Sequence, residues 1–143
     1  MHILGVDPGE HTGIVLYDTV ARAVQYANTV QYGEELFNIL DWLESRLPQI
    51  SVCVCEQYIL YGHLAKQQSW SKLIPIRVIG AVEYVVEWSG GVEVVFQTAS
   101  QAKQLVPNDA LKEAGMWKGF TAHERDALRH ILCYLLRHPM DKE

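Results

Sequence analysis

Four residues of this sequence carry chemistry that a protein core does not select. Asp7 closes the apolar run that begins at His2, and Glu56 closes a second run, Ile50 to Cys55. His123 and Asp126 stand three apart in a helical segment, a spacing that puts both on one face. Taken singly, each carboxylate also reads as a polar residue capping a strand end. Taken together, three carboxylates and a histidine can converge on one point. Like charges a few ångströms apart raise one another's pKa unless a cation intervenes. Oxygen-rich sets of this kind suit Mg²⁺, with Mn²⁺ as a substitute, because these ions keep several waters and share substrate phosphate oxygens. Two ions about 4 Å apart activate a water and stabilise the leaving oxygen of an in-line phosphodiester displacement. The expectation is nuclease chemistry with two ions per active site.

The elements that must position these residues follow from the pattern around them. Residues 2 to 7 form a short apolar run stopped by Pro8-Gly9, a turn signal, so a buried strand delivers Asp7 to its end. Thr12 to Tyr17 and Ala23 to Val30 are rich in Val, Ile, Tyr and Thr, with Asp18 to Arg22 as a hairpin connection. Glu34 to Leu47 spaces Leu36, Phe37, Leu40, Leu43 and Leu47 as the stripe of an amphipathic helix, and Pro48 stops it. Ile50 to Cys55 reads as a central strand covered on both faces. Lys66 to Trp88 is helical in pattern, its apolar face built from Val78, Ile79, Val82, Val85 and Val86, with Pro75 expected to kink or split it. Val92 to Phe96 is a further strand, and Thr98 to Val106 and Asn108 to Ala114 are short helices around Pro107. The last helix starts near Thr121, where Thr-x-x-Glu124 matches a capping box, and carries Ala127, Leu128, Ile131, Leu132 and Leu135. The order β-β-β-α-β-α-β-α calls for an α/β fold, a mixed central sheet flanked by helices.

Composition bounds the rest. The chain has 143 residues, 49% hydrophobic and 20% charged, enough for a single domain over residues 1–143 with a real core. Cys53, Cys55 and Cys133 are too few and too irregular for a disulfide framework, and they read as buried small hydrophobes, not as a zinc site. A reducing, cytoplasmic setting is expected. No basic segment followed by an apolar one opens the sequence, and Pro75, Arg77 and Glu83 interrupt its longest apolar region. Neither export nor a membrane span is expected. His130, four residues after Asp126, reads as a structural histidine that can also hydrogen-bond within the site.

A formal charge of −5 argues at first against a polyanionic partner. Its distribution argues otherwise. Residues 1 to 56 hold eight acids against two Lys and Arg, whereas residues 57 to 143 hold nine against ten. The stretch from Gln57 to Val82 contains Lys66, Lys72 and Arg77 and no acid, with Trp70 close to both lysines. These four are candidate nucleic-acid contacts, in binding that should be modest and salt-sensitive.

Three blocks then carry a family resemblance. Gly5-Val6-Asp7-Pro8-Gly9 with Thr12-Gly13, then Cys55-Glu56-Gln57, then His123-Glu124-Arg125-Asp126-Ala127 resemble the signature blocks of RuvC-type Holliday junction resolvases, within the RNase H-like superfamily. Order and placement agree along essentially the whole chain. Gln68 to Gly80, with Ser71-Lys72-Leu73, also resembles the family's dimer-building helix, and Ser100 to Lys103 its Ser-x-x-Lys near the active site. The sequence looks like a compact, divergent member, of the kind expected of a phage or mobile element.

The resemblance implies an RNase H-like fold and a homodimer that binds a four-way DNA junction. It implies paired nicks in strands of like polarity, with ligatable 5′-phosphate ends, in DNA recombination and repair. By the same carry-over Asp7 bridges two metals, Glu56 and Asp126 each complete a site, and His123 is a ligand or a contact to the scissile phosphate. Lys103 is the candidate for offsetting phosphate charge. Many members carry an aromatic residue three positions after the strand Glu; that position is Ile59 here, flanked by Tyr58 and Tyr61 as stacking candidates. Two other readings stand beside this one. One is a different RNase H-like nuclease acting on non-junction DNA or on RNA. The other is an actin-like nucleotide-binding domain, whose phosphate hairpin Asp7-Pro8-Gly9 with Thr12-Gly13 also resembles, although such proteins need two domains of this size.

Overall fold

The computed structural model describes residues 1–58 and 73–139. Its elements are β1 (His2–Asp7), β2 (His11–Asp18), β3 (Ala23–Gln31), α1 (Glu34–Glu44), β4 (Ile50–Glu56), α2 (Ile74–Val82), β5 (Val94–Gln97), α3 (Ala99–Leu105), α4 (Asn108–Glu113) and α5 (Ala122–Arg137). The strands form one mixed sheet in the order β3-β2-β1-β4-β5. β1, β2 and β3 pair antiparallel in a meander, while β1–β4 and β4–β5 pair parallel. The hairpin between β2 and β3 closes with Asp18 accepting hydrogen bonds from the Val20 and Ala21 N–H groups, and Arg22 takes a left-handed φ of 52°.

Strand alternation sorts the core into two layers. Leu4, Val6, Cys53 and Cys55 face α1 and α2, whereas Ile3, Val52 and Val54 face α5 together with Leu128 and Ile131. Each such side chain, fully removed from water, contributes about 1.5–3 kcal/mol before chain entropy is counted. β4 is covered on both faces, as its unbroken apolar run requires. All three cysteines are free and buried. Among the described residues, no helix is long and apolar enough to cross a membrane.

Several local expectations need correction. α1 ends at Glu44, and Leu47 and Pro48 enter a separate 3₁₀ turn, Leu47–Gln49, in which Leu47 is still buried. Phe37 is 48% exposed, because Leu36, Leu40 and Leu43 complete the buried stripe and Phe37 lies one residue off it. Pro75 sits in the first turn of α2, where a missing N–H breaks no helical bond, so it does not kink the described helix. The part expected from Lys66 to Lys72 lies outside the described residues. The irregularity falls later, where Glu83–Ser89 winds as a π-helix. Val78, Val82 and Val86 are all buried at intervals of four, and the wider winding offsets the drift such spacing has around an α-helix. β5 starts two residues late because Glu87 caps the N–H of Val94 and Val92 is bonded back to Val86. Trp42 and Trp117 pack against the core, but Trp88 is 82% exposed.

Candidate active site

β1 and β4 lie side by side with Val6 opposite Cys55, so the residues that follow, Asp7 and Glu56, emerge together at one end of the sheet. α5 supplies the other half of the site, and two glycines decide how closely it approaches. A Cβ on Gly13 would overlap the His123 carbonyl, and one on Gly5 would come within 2.7 Å of the Ala127 carbonyl oxygen. The helix therefore rests directly on β1 and β2, which brings His123 Nδ1 to 3.2 Å from Asp7 Oδ2.

The start of α5 is tied down by an unexpected arrangement. Thr121 accepts the Glu124 N–H at 3.2 Å, which is the expected first half of a capping box. The second half is replaced: the buried Glu124 carboxylate accepts hydrogen bonds from Thr121 Oγ1 at 2.9 Å and from Thr29 Oγ1 of β3 at 2.8 Å. Glu124 thus fastens the helix to the sheet. The complete capping box is at Thr98 and Gln101, on α3.

Asp7, Glu56, His123 and Asp126 all line one cavity of about 530 Å³, together with Tyr58, Thr98 and Ser100. Burial, a hydrogen bond with Glu56 and the charges of Glu56 and Asp126 push the Asp7 carboxyl up to about 10, against an opposing pull from Lys103. Glu56 goes the other way, to about 2: burial raises it, but contacts with His130 and Asp7 and attraction to His130 and Lys103 outweigh that. The two acids titrate as a pair and hold one proton between them across neutral pH.

Buried side chains behind the cavity orient these groups. Gln97 Nε2 donates to the His130 carbonyl oxygen at 2.9 Å, which identifies it as the amide nitrogen, since a carbonyl only accepts. The same nitrogen lies 3.3 Å from His130 Nδ1, so Nδ1 is the accepting nitrogen and the ring proton resides on Nε2. That Nε2 faces Glu56 Oε2 across 3.7 Å. His130 is therefore a buried structural histidine that stands behind the cavity and faces Glu56. Arg129, also buried, lies 3.4 Å from Asp126 Oδ1 through Nε and bonds Asn108 Oδ1 at 2.7 Å and the Val106 carbonyl. It holds Asp126 against the loop between α3 and α4. The His11 ring stacks near His123, 6.1 Å between centroids.

Of the remaining expected contacts, Lys103 lies outside the main cavity but lines a small space of about 30 Å³ with Glu56, Asp126 and His130. Tyr58 lines the main cavity. Arg77 is exposed on α2 and does not line that cavity. Tyr61, Lys66, Trp70 and Lys72 lie outside the described residues. Neither Arg129 nor Gln97 was among the expected residues: the three-residue spacing of Arg129 from Asp126 is a signal that could have found it, whereas nothing in the sequence marks Gln97, whose role rests on its hydrogen bond to His130 of α5.

The donor set suits a hard divalent cation: three carboxylates and an imidazole, with the Asp7 carboxyl raised first by burial and then by neighbouring carboxylates whose repulsion a cation would relieve. Among the described residues, no three His, Cys, Asp or Glu side chains are gathered closely enough to hold an ion. Binding one would require Asp7 to lose its proton and the carboxylates to close in.

No family model matches the sequence, and no curated protein matches it. Solved structures do. A T. thermophilus RuvC in complex with a Holliday junction substrate superposes with a TM-score of 0.69 at 18% identity, covering 97% of this chain and 96% of that one. Another Thermus thermophilus RuvC structure gives a TM-score of 0.65 at 18% identity, covering 96% of each chain. The five-stranded mixed sheet with helices on both faces, closed by α5 over the ends of β1 and β4, has the RNase H-like α/β fold of RuvC.

Proposed function

We propose that this protein is a metal-dependent endonuclease that resolves four-way DNA junctions by paired symmetric nicks. The observation that carries the reading is the convergence of Asp7, Glu56, His123 and Asp126 on one cavity at the sheet end of a RuvC-like fold. Those four residues would hold two Mg²⁺ ions per site, with Mn²⁺ able to substitute, and ions so held would supply an activated water and stabilise the leaving oxygen.

The chain's own residues do the positioning. Asp7 sits between Glu56 and His123, so it is the carboxylate placed to be shared. His130 fixes Glu56 and Arg129 fixes Asp126, each from a buried position that water does not disturb. Lys103 contributes positive charge where a phosphate would gather negative charge. Tyr58 in the cavity wall is a surface on which an unpaired base can stack. A two-fold junction needs two such sites at fixed separation, which a homodimer built through the α2 face would provide.

The deciding experiment is a substrate panel, four-way junction against linear duplex, flap and RNA–DNA hybrid, each with Mg²⁺ supplied and withheld. Metal-dependent paired nicking confined to the junction supports this function. Preferential cleavage of a hybrid or a linear substrate would move the assignment to another RNase H-like nuclease.

A further inference from the structure

Behind the wall that carries Asp126 lies a second cavity, of about 460 Å³, lined by Lys103, Asn108, Trp117, Arg125, Asp126 and Arg129 among others. Three bases and one acid face it, in a chain whose formal charge is −5. Arg129 is already engaged by Asp126, Asn108 and the Val106 carbonyl. Lys103 and Arg125 enter no ion pair among the described residues.

Arg125 is held in a particular way. Its Nε donates to the Trp117 carbonyl oxygen at 2.9 Å, and its guanidinium carbon lies 4.1 Å from the Trp117 ring centroid. Lys112 Nζ sits 4.8 Å from the centroid of the same ring. These contacts use Nε and one face of the guanidinium. They leave the two terminal nitrogens, the pair that grips phosphate oxygens in bidentate fashion. An arginine fixed before binding loses little rotamer freedom when its ligand arrives.

We propose that this cavity binds a backbone phosphate of the nucleic-acid strand, neighbouring the phosphate that enters the carboxylate cavity. Arg125 is the bidentate contact, and Lys103 is a second positive charge on the wall of the same cavity. Asp126 stands between the two spaces, so a strand passing it runs from one into the other. The proposal rests on the nuclease reading of the carboxylate site and adds to it a phosphate subsite with a named ligand.

The test is binding of a labelled four-way junction and a linear duplex across a salt series, with divalent metal withheld, for the wild type, Arg125→Gln and Arg125→Lys. Losing a charge-assisted phosphate contact should weaken binding by Arg125→Gln roughly tenfold. It should also flatten the slope of log K against log salt by about 0.7–0.9. Arg125→Lys keeps the charge and should keep the slope while losing affinity. Should Arg125→Gln not fold, protection of wild-type Arg125 from phenylglyoxal by the bound junction decides the matter, and unprotected Arg125 overturns the subsite. A wild type that binds DNA, with Arg125→Gln matching it in affinity and slope, overturns the subsite and leaves the nuclease reading intact. A wild type that binds none of the DNA overturns that reading, and the subsite with it.

Discussion

Gln97 and His130 meet through a single amide nitrogen, which donates to the backbone oxygen of His130 and leaves its Nδ1 as an acceptor. The ring proton is thereby placed on Nε2, facing Glu56. A glutamine that does not line the cavity thus controls which ring nitrogen His130 turns towards Glu56. His130 should appear as the Nε2–H tautomer in long-range ¹H–¹⁵N correlation spectra. Gln97→Leu should free the tautomer and lower metal affinity or activity by less than the roughly 10- to 100-fold cost of losing a direct partner of a ligand, because Gln97 acts on Glu56 only through His130. An Nδ1–H tautomer in the wild type would contradict the arrangement.

Asp7 raised to about 10 and Glu56 lowered to about 2 give the metal-free protein a pH signature. Above the unfolded pKa values, from about pH 5 to 10, the folded pair keeps one proton that the unfolded chain has lost. Stability in that window therefore falls as pH rises, by on the order of 1 kcal/mol per pH unit. Below pH 4 the sign reverses, because Glu56 must be protonated as pH falls towards 2. Thermal unfolding of the metal-free protein should give a lower Tm at pH 9 than at pH 6. Asp7→Asn should flatten that dependence, and so should Mg²⁺ if binding strips the proton from Asp7.

Asp7→Asn should also separate binding from cleavage. The amide keeps the shape of the site but cannot act as an anionic bridging ligand, so nicking should be lost while gel-shift affinity for the junction stays within a few-fold of wild type. Full metal-dependent nicking in that variant would remove Asp7 from the site.

Gly13→Ala tests whether the approach of α5 to β2 is obligatory. The added methyl would overlap backbone atoms of His123, which cannot swing aside as a flexible side chain can. Overpacking of this kind costs about 1–3 kcal/mol, so chemical denaturation should show a lowered midpoint with an unchanged m-value. Activity should fall further than stability alone explains, because His123 and Asp126 move with the helix.

Cys53 and Cys55 should resist thiol reagents in the native state. Both are fully buried, and burial pushes the Cys53 thiol up to about 12 and the Cys55 thiol well above its ordinary value. Ellman's reagent should label them only at the rate of unfolding, and rapid labelling under native conditions would show that the sheet core opens locally.

Periodicity and spacing alone determined a great deal of this protein. Apolar runs ending at Asp7 and Glu56, the three-residue spacing of His123 and Asp126, and the order of strands and helices are local properties, written in side-chain type and interval. They made the mixed sheet readable, and they singled out the four residues that line one cavity. What only the tertiary structure decided is how these pieces bear on one another. That Gly5 and Gly13 seat α5, that Glu124 reaches Thr29 as well as its own helix cap, and that Arg129 and the Gln97–His130 pair brace the carboxylates all depend on contacts between distant segments. So does the coupling that raises the Asp7 carboxyl and lowers that of Glu56. A sequence fixes the identity of each donor, acceptor and charge, but their partners are set by packing, and hydrogen bonds and pKa values depend on those partners.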